Sequence, residues 1–196
     1  RSKSIGNRLN EGFNRLGLGL VDMAEGRLES ARVEFLSAVE LVEVGSSPGD
    51  QITALAMLGS AELAAGDWKS ADEHTALAAE RLKAAGPVSP EYPLQAVYWR
   101  RYQVLQARPR GGRRTREEAW QALDSSHDTL MSTLANLSDE GLRRNCLNKV
   151  EVNREIMLEW TRVAAQRGAA VRELEPLEGS LQDQFKRMME ISVRKA

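Results

Sequence analysis

The apolar residues of this chain recur every three or four positions between charged and small residues, which is the pattern of amphipathic helices. The first stripe comprises Leu9, Phe13, Leu16, Leu20 and Met23. Gly26 is predicted to end that helix, and a return helix is predicted over 28–44. A second pair is predicted over 49–65 and 68–85, and another helix begins at Ser89. Glycine and proline between these segments leave little room for strands.

Capping residues set several predicted boundaries. Ser47 is an expected N-cap, and Pro48 follows it at the first helical position, where a missing N–H is harmless. Thr115 has capping-box spacing to Glu118, which predicts a helix start there. The longest helix is predicted over 138–168, and its length is expected of an element that closes a stack.

The pattern of the first hairpin returns forty residues later. The recurring residues are Leu18, Gly19, Gly26, Ala31 and Ala38, followed by Leu58, Gly59, Gly66, Ala71 and Ala78. Small residues at these offsets allow the two helices of a hairpin to approach closely, and a fixed period predicts stacked hairpins. We therefore predict an all-α fold, a right-handed superhelical stack of about four antiparallel helix hairpins over 1–168.

The last residues carry a different pattern, which predicts a helical connector over 169–196. Its apolar residues fall at alternating three- and four-residue intervals, as in a coiled-coil seam. They include Leu177, Leu181, Met188 and Ile191. This seam predicts a homodimer, and the pattern continues to the last residue, so a further domain is expected beyond it.

Charge and composition narrow the class of partner. Among 196 residues, 27 Lys and Arg face 28 Asp and Glu, so the near-neutral charge favours neither nucleic acid nor an anionic membrane. No run approaches the ~20 apolar residues of a spanning helix, and no signal peptide is evident. A lone cysteine, Cys146, cannot form an internal disulfide. We therefore predict a cytoplasmic location, without membrane or nucleic-acid binding. Because the chain begins at Arg1, we expect it to be part of a longer protein.

The forty-residue units resemble tetratricopeptide repeats. The matching residues of the first unit are Leu18, Gly19, Gly26, Ala31, Phe35 and Ala38. The chain departs from that family at Asp22 and Glu62, where an aromatic residue is usual, and in its longer period. Longer repeats of this kind resemble the superhelical sensor domains of large bacterial signalling ATPases. Residues 137–156 are also similar to the end of the repeat region in bacterial regulators that carry a GAF domain. The resemblance implies an interaction and sensor domain.

Four arginines around Gly111 and Gly112 are a candidate anion site, since guanidinium groups match phosphate oxygens and glycine permits close backbone approach. They are Arg108, Arg110, Arg113 and Arg114. The other interpretation is a solvated loop between helices, because one short patch lacks the broad basic surface of nucleic-acid binders.

The aromatic residues Tyr98, Trp99 and Tyr102 form the densest aromatic cluster and are candidate partner-binding residues. Core packing explains the same cluster, because Trp99 and Tyr102 share one helix face.

The titratable residues of the sequence form no catalytic or metal-binding motif. His74 and His127 lack a second ligand at metal-binding spacing, and Cys146 falls on an apolar helix face. Glutamates at 151, 155 and 159 are typical of a solvated face. We therefore predict no enzyme activity, catalytic residue, metal or cofactor.

Together these observations predict a non-catalytic scaffold of a bacterial signalling protein that binds protein or peptide and relays binding to an output domain. The alternative is a structural homodimerisation module that positions output domains through the seam at 177–191. A third class, an enzyme whose site is assembled from distant residues, has no motif to support it.

Overall fold

The computed structural model describes residues 2–42, 47–85, 93–109 and 111–168. Within these ranges the regular structure is helical, with no strand, so the predicted all-α class is confirmed. The helices are α1 Ser2–Ala24, α2 Leu28–Val42, α3 Pro48–Ala64, α4 Trp68–Ala84, α5 Leu94–Ala107, α6 Arg113–Ala135, α7 Glu140–Lys149 and α8 Glu151–Gln166. The chain groups into two compact units. The first comprises Arg1–Pro93 and Arg100–Ala119, and the second comprises Leu94–Trp99 and Trp120–Ala196.

Two glycines turn the chain between the helices of the first two hairpins. Gly26 and Gly66 have φ values of 76° and 85°, a left-handed conformation that only glycine adopts without strain. Each turn is closed by the same backbone bond, from Arg27 N to the Asp22 carbonyl at 2.8 Å and from Asp67 N to the Glu62 carbonyl at 2.9 Å. The forty-residue period is therefore a structural repeat.

Close approach within each hairpin depends on a second pair of glycines. A Cβ at Gly19 would lie 2.6 Å from Cε1 of Phe35, and one at Gly59 would lie 2.5 Å from Cγ2 of Thr75. The alanines that recur in α2 and α4 are fully buried. The prediction that small residues bring the paired helices together is confirmed.

Successive hairpins share one apolar core. α1 packs on α2, α2 on α3 and α3 on α4. Ala31 and Phe35 of α2 form a buried cluster with Leu58 and Ala61 of α3. Consecutive packing of this kind is consistent with the predicted stack of hairpins.

The structure tests the predicted caps at Ser47 and Thr115. Ser47 caps α3 as predicted, since its hydroxyl accepts from Asp50 N at 3.3 Å and Pro48 is the first helical residue. The start at Thr115 is wrong. The carbonyl of Gly112 accepts from the N–H of Arg116 at 3.1 Å, so α6 is already helical at Thr115. The predicted start at Ser89 lies outside the residues that the structure describes.

The long helix predicted over 138–168 is two helices. Asp139 caps α7, and the chain then leaves helical geometry at Val150, where φ is −86° and ψ is 110°. α8 begins at the next residue. The physical reason is a side chain: Asn153 donates to the backbone carbonyl of Cys146 at 2.9 Å and satisfies it in place of a helical N–H.

Candidate interaction surfaces

One side of α1 carries a row of exposed, uncharged residues, which we call the α1 belt. It comprises Phe13, Gly17, Leu18, Leu20, Val21 and Ala24. Its four large side chains are between 47% and 52% exposed. The sequence pattern places Phe13 and Leu20 in one apolar stripe with Leu16 and Met23. In the structure Leu16 and Met23 pack against the core, whereas Phe13 and Leu20 are exposed. α1 instead presents Gly12 and Gly19 to α2, where any Cβ would meet Val42 or Phe35, and this rotation leaves the larger residues outside.

Two charged residues of α1 bond to α2. Arg15 donates to Glu34 of α2 at 3.0 Å, and Asp22 accepts from the hydroxyl of Ser30 in α2 at 2.5 Å. The Ser30 hydroxyl and the Arg27 guanidinium hold the pKa of Asp22 below its usual range. Arg15 and Asp22 are therefore used within the hairpin, whereas Asn10, Glu11 and Asn14 of the same helix are exposed beside the belt.

Asp22 and Glu62, which replace the aromatic residue usual in tetratricopeptide repeats, form hydrogen bonds between the two helices of their hairpins. Glu62 of α3 lies 2.7 Å from Nδ1 of His74 in α4. The hydrogen bond to this buried carboxylate raises the pKa of His74. The sequence indicated no role for these two carboxylates, and their forty-residue spacing was the available signal.

In the second unit, four side chains of α6 and the α8 region form a layered stack. The ring centre of Trp160 lies 3.9 Å from that of His127, with an angle of 11° between the two ring planes. It lies 6.3 Å from the ring centre of Trp120. The guanidinium of Arg167 lies 5.0 Å from the centre of the Trp120 ring. Trp160 Nε1 donates to Asp124 at 3.0 Å. We call this set the α6–α8 stack, and it joins these two elements.

No sequence pattern predicted the α6–α8 stack, although Trp120, Asp124 and His127 fall at the spacing of one helix face. His127 is a partly exposed residue of α6, with its side chain 13% exposed. Its ring covers one face of Trp160. This placement gives His127 a packing role.

A buried polar chain lies beneath the break at Val150. Asn153 is 1% exposed and accepts from Nε2 of Gln95 at 2.9 Å. The hydroxyl of Ser126 donates to the Gln95 carbonyl at 2.8 Å. Residues from α5, α6 and α8 are therefore joined by directional bonds, which hold a defined geometry more strictly than apolar contacts do.

The predicted partner-binding aromatics are largely covered. Trp99 is 8% exposed and Tyr102 is 3% exposed. Tyr98 is half-buried, and burial raises the pKa of its phenol. Of the two interpretations that the sequence left open, core packing accounts for Trp99 and Tyr102, and Tyr98 retains some surface for a partner.

Two arginines of the candidate anion loop have local partners. The guanidinium of Arg108 lies 5.6 Å from the centre of the Trp68 ring, and Arg114 donates to Glu118 at 2.8 Å. Arg113 is exposed, and Arg110 lies outside the described residues. This arrangement favours the solvated-loop interpretation, and anion binding by the loop stays a prediction.

The remaining candidates separate into described and undescribed residues. Cys146 is half-buried, and burial raises the pKa of its thiol. Glu151 and Glu155 are exposed, as predicted for a solvated face, whereas Glu159 is partly buried and accepts from Arg162 at 2.7 Å. In the described ranges, no three His, Cys, Asp or Glu residues lie together as metal ligands would. The dimer seam, with Leu177, Leu181, Met188 and Ile191, lies outside the part of the chain that the structure describes.

Comparison of the chain with protein-family models, with curated proteins and with solved structures finds no match. None of the helices in the described ranges has the length and apolar character needed to cross a membrane.

Proposed function

We propose that this chain is a non-catalytic interaction scaffold of a bacterial cytoplasmic signalling protein. It binds a protein or peptide and passes the bound state to an output domain. The observation that carries this proposal is the α1 belt, where four large apolar side chains lie half-exposed on one helix. Exposed apolar side chains grouped on one helix are typical of interaction sites, because their exposure to water is unfavourable unless a partner covers them.

The second unit supplies an element on which a relay can act. α7 and α8 meet at Val150, and the bonds of Asn153 hold that junction. A relay requires an element with two arrangements whose equilibrium binding shifts. The break at Val150 is the element we propose for this role, since a small change in the backbone angles of Val150 alters the direction of α8.

Site-specific photo-crosslinking in cells that produce the full-length protein tests the interaction. A benzophenone amino acid replaces Phe13 in one variant and Leu20 in another. The controls carry it at Lys83 or Val33, which are exposed on α4 and α2. We expect discrete protein adducts from the two belt positions and few from the controls. Absence of adducts at both belt positions, with the protein folded and present, would contradict the proposal.

A further inference from the structure

We infer that the α1 belt receives an amphipathic helix of a partner protein, seated as α2 is seated on α3. This inference rests on the proposed function, because it names the partner of the same surface. It follows from the internal repeat, in which α1 and α3 are equivalent helices forty residues apart.

Equivalent positions of α1 and α3 differ sharply in exposure. Leu18 is 52% exposed, whereas its counterpart Leu58 is 1% exposed. Val21 is 51% exposed, whereas its counterpart Ala61 is fully buried. The cover on α3 is supplied by Ala31 and Phe35 of α2. The molecule itself therefore shows what fits this face, namely a helix with small and aromatic residues in successive turns.

The belt has room for a helix to approach. A Cβ placed on Gly17 would meet nothing within 4 Å, whereas its counterpart Met57 packs on the α2–α3 core. A glycine in the middle of a helical contact face allows a second helix to come close. The open space at Gly17 is where a partner side chain would take the place that Met57 occupies in α3.

The belt is also more apolar than the equivalent face of α3. Phe13 and Leu20 occupy the positions of Thr53 and Ser60 in α3. Thr53 and Ser60 are half-buried polar residues, whereas Phe13 and Leu20 are both 47% exposed. This additional apolar area widens the surface that a partner helix can cover and favours association.

Charge restricts the partner face. From 10 to 24, the charged residues of α1 are Glu11, Arg15 and Asp22, and the last two bond to α2. The belt residues carry no charge, and the exposed Glu11 borders them two turns before Leu18. A charged residue at the centre of the partner face would lose its hydration without compensation, so we expect that face to be uncharged.

In a folded copy of this chain the small-residue faces of α2 and α4 are already covered, which favours another protein as the occupant. Two helices of the first unit carry the required small-residue face. Their residues are Ala31, Phe35 and Ala38 in α2, and Ala71, Thr75 and Ala78 in α4. All six residues are at most 1% exposed. A second folded copy therefore cannot offer either face to the belt.

A peptide with the sequence of residues 28–42 is the probe, because it carries the α2 face. A hydrocarbon staple between its outward positions, 29 and 33, stabilises the helix, since isolated 15-residue helices are marginal. Binding to the intact chain is followed by fluorescence anisotropy. We expect saturable binding that weakens at least about tenfold, or 1.4 kcal/mol, in Leu18→Asp and in Val21→Asp. The matched control is Leu36→Asp, since Leu36 is 47% exposed on α2. This variant is expected to keep full affinity.

The outcomes separate this inference from the proposed function. No peptide binding, together with crosslinked protein adducts at Phe13, would overturn the helical partner and leave the interaction scaffold intact. Peptide binding that Leu18→Asp does not weaken would show that the peptide replaces α2, which also overturns the inference. A dimer in light scattering that Leu18→Asp converts to a monomer would assign the belt to a second copy. Circular dichroism of each variant verifies that it is folded.

Discussion

The side-chain amide of Asn153 donates to the carbonyl oxygen of Cys146 at 2.9 Å, where an uninterrupted helix would place the N–H of Val150. The same side chain accepts from Gln95 at 2.9 Å. One buried residue therefore ends α7 and holds α5.

We expect Asn153→Ala to reduce the free energy of unfolding by about 1–3 kcal/mol, because it leaves the buried Gln95 amide and the Cys146 carbonyl without partners. Urea titration followed by circular dichroism measures this loss. Asn145→Ala is the matched control, since Asn145 is exposed on α7. If the two variants were equally stable, the bonds of Asn153 would not hold the junction.

Two glycines of the same helix should respond oppositely to alanine. A Cβ on Gly19 would lie 2.6 Å from the buried ring of Phe35, so Gly19→Ala should destabilise by about 1–3 kcal/mol. Gly17 has open space around it, and Gly17→Ala should stabilise by about 0.5–1 kcal/mol through helix propensity. Thermal and urea unfolding of both variants check the signs. A stabilised Gly19→Ala protein would contradict the close contact of α1 with Phe35.

The ion pair between His74 and Glu62 makes stability depend on pH. Because folding raises the pKa of His74, the pair stabilises the protein fully below the unfolded value of about 6.5, and this contribution is lost as pH rises through the folded pKa. NMR titration of His74 should show its pKa fall in Glu62→Gln, since the Glu62 hydrogen bond is the largest cause of the shift. Glu73→Gln is the control and should change this pKa less. Equal shifts in both variants would contradict the hydrogen-bond assignment.

The α6–α8 stack should have a spectroscopic signature. The indole rings of Trp120 and Trp160 lie close enough for exciton coupling. We expect Trp160→Phe to remove the signal of this coupling from the circular dichroism spectrum. The variant also loses the bond to Asp124, which should lower the free energy of unfolding by about 1 kcal/mol. Trp68→Phe is the control, because Trp68 lies in the first unit. A coupling signal that survived Trp160→Phe would contradict the stack.

The features that were predictable from sequence depend on local chemistry. Gly26 and Gly66 marked turns because their backbone conformation excludes other residues, and Ser47 marked a helix start through its own side chain. The recurring alanines identified the paired faces because only small residues fit there.

The features that were missed depend on contacts between distant residues. Periodicity showed that α1 is amphipathic, yet Gly12 and Gly19 decided which side meets α2. The break at Val150 accompanies the bond of Asn153 to the Cys146 carbonyl, and Asn153 is itself held by Gln95, 58 positions away. Such contacts have no signal in the periodicity of either segment.

Because α1, α2, α3 and α4 pack consecutively, the number of hairpins can change without a change in the structure of each hairpin. A further copy of residues 27–66 inserted after Gly66 would begin and end at a Gly turn and meet interior faces of the kind already present. Each neighbour would keep its own contacts, because in a stack of this type stability is approximately a sum over units and the interfaces between them. Duplication of one such segment is thus a single genetic step that lengthens the array without redesign of its interior.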